Sequence, residues 1–320
     1  MSRILNGDKL ISSIRKRSMI PDDTSVFTDQ DILDVVNEEI DVNILDKLLT
    51  LHEEHLTTHI DVPRNSKGVY NIPYRAVGNK LRDISLVRGD EVYELAQIGI
   101  GELSDYYSDN SATSSAAYKF YVENNQIKLL NPNVVHDKVR IYFYIRPNVI
   151  TKLNRAGKIV GIVTSGNNRV FTLDTFPNNF NSTTVFDIVG FRTPNKIKEF
   201  DLPQVNINAV TKTITIDNSS LINADDIIIG DYVCMAEESP FPNMPTEFHP
   251  LIAQLASINI LESTGDTEAL NNAEKRKELM QKAVMSIVDD RVELSPKKIK
   301  PRHGTLSQAI STIGRSKRSR

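Results

Sequence analysis

The sequence predicts an α+β protein: a helical bundle core, a small antiparallel meander and an inserted all-β domain, either a barrel or a sandwich. Three observations predict it. Apolar residues recur at helical spacing toward both ends of the chain, over 28–60 and 246–288. Alternating runs on either side of Asn124-Asn125 mark a hairpin within 118–129. From 151 to 240 the texture is Val, Ile, Thr, Phe and Asn in short runs broken by turn residues, with no helical period. The expected division is 1–150 for the helical core with the meander, 151–240 for the inserted β domain, 241–296 for a helical hairpin completing the core, and 297–320 for a basic extended tail.

Residues 1–62 read as helical. The clearest start is Phe27-Thr28-Asp29-Gln30-Asp31-Ile32, where Thr28 can cap free N–H groups, Asp31 can reach back, and Phe27 can staple onto Ile32. Ile32, Val36, Ile40, Ile44, Leu48, Leu56 and Ile60 continue one apolar face until Pro63 ends it. Val69 and Ile72 are extended, and an apolar segment resumes at Leu81, Ile84 and Leu86. After the hairpin, Val139 to Ile145 adds a third strand, closed by Pro147. Within 151–240, Lys158 to Thr164 and Arg169 to Leu173 flank a Ser165-Gly166-Asn167-Asn168 turn, and further runs lie at 185–191, 205–210, 213–216 and 232–235. Helices return after Pro245, with Gly265 stopping one and Asp266 capping the next.

At 320 residues the chain has room for roughly two domains and a sizeable core. With 40% hydrophobic and 25% charged residues it reads as soluble, no run reaches the roughly 18 apolar residues of a membrane span, and the first residues lack a secretory pattern. The expected site of synthesis and assembly is the cytoplasm. Cys234 is the only cysteine, which excludes an intrachain disulfide or a cysteine metal cluster, and its apolar YVCMA setting reads as core packing. The net charge of −3 conceals a polarity. Lys297, Lys298, Lys300, Arg302, Arg315, Lys317, Arg318 and Arg320 face no Asp or Glu within 297–320, and with those eight removed from 38 the remainder holds 30 basic against 41 acidic side chains. An acidic body with a basic tail implies a tail that docks on an acidic surface. Leu306, Ile310 and Ile313 add a helical i, i+4, i+7 stripe, so docking into a protein groove is preferred over a free tail or incidental contact with DNA.

Signatures of catalysis are weak. His52, His55 and His59 fall at i, i+3 and i+7, a spacing that can present three imidazoles to a metal, but HEEH is not HExxH, and solvated or capping histidines are the simpler reading. The acidic pairs Asp22-Asp23, Glu38-Glu39, Glu53-Glu54, Asp225-Asp226, Glu237-Glu238 and Asp289-Asp290 diverge on any regular element, so solvated surface outweighs paired-carboxylate chemistry. No phosphate-binding glycine loop or GxSxG elbow occurs. The expectation is a chain that is not an enzyme, with no cofactor, no metal and no membrane partner.

In three places the residues resemble the head-to-tail adaptor, or neck, proteins of tailed bacteriophages: FTDQDILDVVNEE leading to YNIPYRAVGNKLRDI; YKFYVENNQIKLLNP with VRIYFYIRP; and IIIGDYVCMAEESPFPNMPTEFHPLIAQLAS. The similar pieces fall within 27–150 and 228–265, and 151–227 exceeds what compact members of the group need. The resemblance, which points to a short-tailed, crAss-like phage, implies a virion structural protein that joins the capsid portal to the tail. It further implies a homo-oligomeric ring of about twelve copies, contacts with portal and with other neck or tail proteins, and a C-terminal segment reaching onto portal or neighbouring subunits. It carries no catalytic residue over. The competing reading is a virion-associated glycan-binding or glycan-degrading tail component, against which stand few aromatics in 151–240 and no tryptophan.

Overall fold

Thr28 opens its helix as the sequence predicts: its hydroxyl accepts from Asp31 N at 3.1 Å while the Asp31 carboxylate accepts from Thr28 N at 2.8 Å. The structure, a computed structural model, describes residues 4–20, 26–103, 118–192 and 195–288. Met1–Val288 forms one unit and Asp289–Arg320 a second, all of which lies outside the described residues.

The first elements are α1 (Gly7–Ser18), α2 (Asp29–Glu39), a π-helical turn (Ile40–Ile44), α3 (Leu45–Leu51) and α4 (Glu53–Leu56). Ile32, Val36, Ile40, Ile44 and Leu48, four residues apart, are all buried. Each four-residue step overshoots a 3.6-residue turn, and the wider π turn takes up the accumulated drift so that one face stays on the core. The expected continuous helix to Ile60 is not formed. His52 breaks it at φ −146°, and Thr57, Thr58, Ile60 and Val62 extend into strand β1 (Thr57–Pro63), where β-branched side chains fit a pleated surface better than a helix.

The next strands are β2 (Val69–Asn71), β3 (Ala76–Arg88), β4 (Glu91–Glu94), β5 (Ala96–Gln97), β6 (Lys119–Glu123), β7 (Gln126–Leu129) and β8 (Lys138–Ile145). They build two four-stranded sheets, ordered β1-β8-β3-β4 and β2-β7-β6-β5. Asn124 and Asn125, at φ 50° and 60°, make the tight turn between β6 and β7. The third strand does not join that hairpin. β8 alternates half-buried and buried along its whole length and pairs antiparallel with β1 on one side and β3 on the other, so the expected meander is divided between two sheets.

After β9 (Val149–Ile150) come β10 (Gly157–Ser165), β11 (Asn168–Leu173), β12 (Val185–Val189), β13 (Ile197–Asn208), β14 (Thr213–Asp217) and β15 (Tyr232–Met235). These six close a barrel in the order β10-β11-β14-β13-β12-β15. Its interior is filled by Ile159, Phe171, Leu173, Phe186, Ile188, Leu202, Ile214, Ile216 and Val233. β16 (Glu238–Ser239) pairs in parallel with β9, and α5 (His249–Thr264) and α6 (Thr267–Val288) finish the described chain. Gly265 reverses the chain between them at φ 73°, and the Asp266 carboxylate accepts from Ala269 N at 3.0 Å.

The expected helical bundle core is therefore a misreading. Among the described residues strand and helix take nearly equal shares, about 35% and 34%. Three separate apolar clusters form the core, and only one is mainly helical, with Leu10, Ile14, Ile32, Val36, Leu48, Ile252, Leu255 and Ile260 meeting where α1 and α2 flank α5. The second cluster lies between the sheets around Tyr70, Ile84, Phe120, Ile127, Ile141 and Phe143, and the third fills the barrel. Helical periodicity was visible in the sequence at both chain ends, but short strands hold most of the intervening core.

Candidate partner-binding surface

Asp187 on β12 ties the barrel to the rest of the molecule. It is fully buried and accepts from Arg75 Nη2 at 3.0 Å, Asn148 Nδ2 at 2.6 Å, Asp201 N at 2.9 Å and Glu237 N at 3.1 Å. Arg75 precedes β3 and also reaches Asp201 at 3.2 Å. Asp201 and Glu237 hold left-handed conformations at φ 54° and 66°, which aim their N–H groups at the carboxylate. Burial disfavours the charge on Arg75, yet Asp187 and Asp201 outweigh it and raise its pKa. Burial also raises the Asp187 carboxyl, against the pull of Arg75 and its other donors. Four donors from separate parts of the chain converge on this buried carboxylate, so the cluster acts as a joint. Beside it lies a cavity of about 160 Å³ lined by Asn37, Ile40, Tyr74, Arg146 and Glu237 among others.

The remaining buried carboxylates are engaged in the same way. Glu199, raised by burial, accepts from Ile222 N at 3.0 Å and from Asn223 N. Asp231 accepts from Lys198 Nζ at 2.8 Å and Ile228 N at 2.9 Å. Burial lifts the Cys234 thiol well above its ordinary pKa, which makes it a poor nucleophile.

The three histidines at helical spacing do not share a helix face. His52 sits at the break beside Glu54, His55 is turned inward onto the Asn195 carbonyl at 3.1 Å, and His59 on β1 packs at a tilt against Tyr142 with ring centroids 5.3 Å apart. Among the described residues no three His, Cys, Asp or Glu side chains are placed to hold a metal ion.

The features that remain are surfaces. On α2 and the π turn, Asp31, Asp34, Glu38 and Asp41 are exposed at i, i+3, i+7 and i+10, one side of the helix. Asp31 is occupied by Thr28 and Asp34 accepts from Gln30 Nε2 at 2.8 Å, but none of the four forms an ion pair among the described residues. By contrast Asp29, on the inner side, is held below its ordinary pKa by hydrogen bonds from Lys152 at 2.7 Å and Arg15 at 2.9 Å. The barrel presents a second surface, an outer wall rich in Val, Thr and Asn, while its aromatics Phe171, Phe180 and Phe186 lie in the core. The basic residues expected to bind a partner (Lys297, Lys298, Lys300, Arg302, Arg315, Lys317, Arg318 and Arg320) and the stripe of Leu306, Ile310 and Ile313 lie outside the described residues. The acidic row on α2 escaped the sequence reading, although its spacing was visible there.

Compared with known proteins, the sequence matches no family model and no curated protein. No described helix is long and apolar enough to cross a membrane.

Proposed function

We propose that the chain is a non-enzymatic structural subunit of a phage virion, forming a homo-oligomeric ring that connects the capsid portal to the tail. The observation that carries this reading is charge complementarity within one sequence. Asp31, Asp34, Glu38 and Asp41 line an exposed helix side without ion pairs among the described residues, and eight Lys or Arg without a single acid close the chain. Identical copies placed head to tail in a ring can each offer the acidic side to one neighbour and the basic segment to the other neighbour or to the portal. The buried carboxylates among the described residues support the same reading, because Asp187, Glu199 and Asp231 each accept hydrogen bonds that hold barrel, sheets and loops together.

Deleting 297–320 tests it. The truncated chain should fold with an unchanged melting temperature yet co-sediment with portal about tenfold less well at low salt, as expected when several charge contacts are removed. Undiminished association of the truncated chain would count against the proposed role of the basic segment.

A further inference from the structure

The barrel closes over only half its height. On the side of β10 away from β11, pairing with β15 covers Gly157 and Lys158, and backbone bonds to Gly230 and Asp231 reach Ile159. On the side of β13 away from β14, pairing with β12 ends at Pro203. Beyond those points Val160 to Ser165 of β10 and Val205 to Asn208 of β13 have no strand neighbour on those sides among the described residues, and they form the two edges of the sheet β10-β11-β14-β13. Free strand edges in monomers are usually guarded by charge. Neither of these stretches carries one.

The register sets one level row across this sheet: Val163 opposite Val170, Val170 opposite Thr215, and Thr215 opposite Asn206. Phe171, Ile214 and Ile216 point into the barrel, so their neighbours in this row point out. Val160, Val163 and Val205 are 47%, 60% and 56% exposed. This row is thus uncharged, and three of its four residues are β-branched, composition that favours strand pairing over solvation. Four antiparallel strands also leave the two edges running in opposite directions. A copy related by rotation about an axis along the strands therefore brings its β10 antiparallel to β13 of its neighbour, with Val163 beside Asn206, and the ladder continues without inversion.

We propose that this is the contact between copies: the free edge of β10 in one subunit pairs antiparallel with the free edge of β13 in the next. The inference rests on the ring reading and names one surface that builds the ring. It is tested on the full chain carrying Val163→Cys and Asn206→Cys together, mixed with portal and treated with a flexible bis-maleimide that tolerates an offset of one residue pair. Cys234 is buried and should not compete. A ladder of covalent multimers, absent for either single variant, supports the pairing. Rings visible by electron microscopy without a ladder overturn this contact and leave the ring standing, whereas no rings from the wild-type chain overturn both. Hydrogen exchange on the wild-type chain needs no substitution: amides of 160–165 and 205–208 should slow by about tenfold or more on assembly, and unchanged rates refute the pairing.

Discussion

Arg75 and His249 show what single buried groups contribute. Replacing Arg75 by Met leaves Asp187 buried with its guanidinium partner gone, so the expected loss is about 3 to 5 kcal/mol in chemical denaturation. An unchanged unfolding midpoint would contradict the role of Asp187 as the joint. His249 is buried and neutral by geometry: Leu5 N–H donates to Nδ1 at 3.1 Å, and Nε2 faces the Met244 carbonyl at 3.4 Å. Burial is the main cause that lowers its pKa to about 4, with the His55 ring acting in the same direction and Glu247 against it. An unfolded histidine titrates near 6.5, so between these values the unfolded chain binds more protons than the folded one. Stability should be fully present above about pH 6.5 and fall as pH drops toward 4, by at most roughly 3 kcal/mol. His55, lowered mainly by burial, adds in the same sense. Denaturation midpoints at pH 7 and 4.5 check this, and His249→Gln should flatten the slope. None of these roles was legible in the sequence, because Arg75, Asp187 and Asn148 are up to 112 residues apart and only the tertiary fold brings them together.

At the scale of elements, local chemistry was readable and pairing was not. The Thr28 cap, the Asn124-Asn125 turn, the Gly166 turn and the Gly265 stop each depend on a few adjacent residues, and each is found where the sequence puts it. Three features needed partners that periodicity does not reveal. Thr57 to Val62 turn to strand because β8 offers an edge. β8 lies between β1 and β3 instead of beside β7. Residues 197–203 extend β13 beyond the expected run because β12 pairs with them. Close approach between elements yields a sharp prediction at Gly7, the first residue of α1. A Cβ there would lie 2.3 Å from the Thr151 carbonyl oxygen, which belongs to backbone and cannot rotate away. Ala is the better helix former by about 1 kcal/mol, yet overpacking costs about 1 to 3 kcal/mol. Gly7→Ala should therefore lower the melting temperature, and a rise would show that α1 does not seat against Thr151 so closely.

For the whole molecule, the sequence conveyed the charge division between body and tail, and the structure adds where part of the acidic surplus is displayed. The barrel is tied through Asp187 to Arg75 and Asn148, and on the proposed reading its two uncharged sheet edges and the acidic helix side are the surfaces offered to neighbours. If the acidic row and the basic segment hold copies to one another or to portal, assembly should weaken between 0.1 M and 1 M salt, where the Debye length shrinks from about 10 to about 3 Å. The sheet-edge contact, made of backbone hydrogen bonds and apolar side chains, should resist the same change. Sedimentation across that range separates the two contributions. The most direct test of the proposed role is electron microscopy of the purified full chain mixed with its portal. A closed collar with rotational symmetry seated on the portal is expected. A chain that stays single beside the portal while turning over glycan or DNA contradicts the connector assignment.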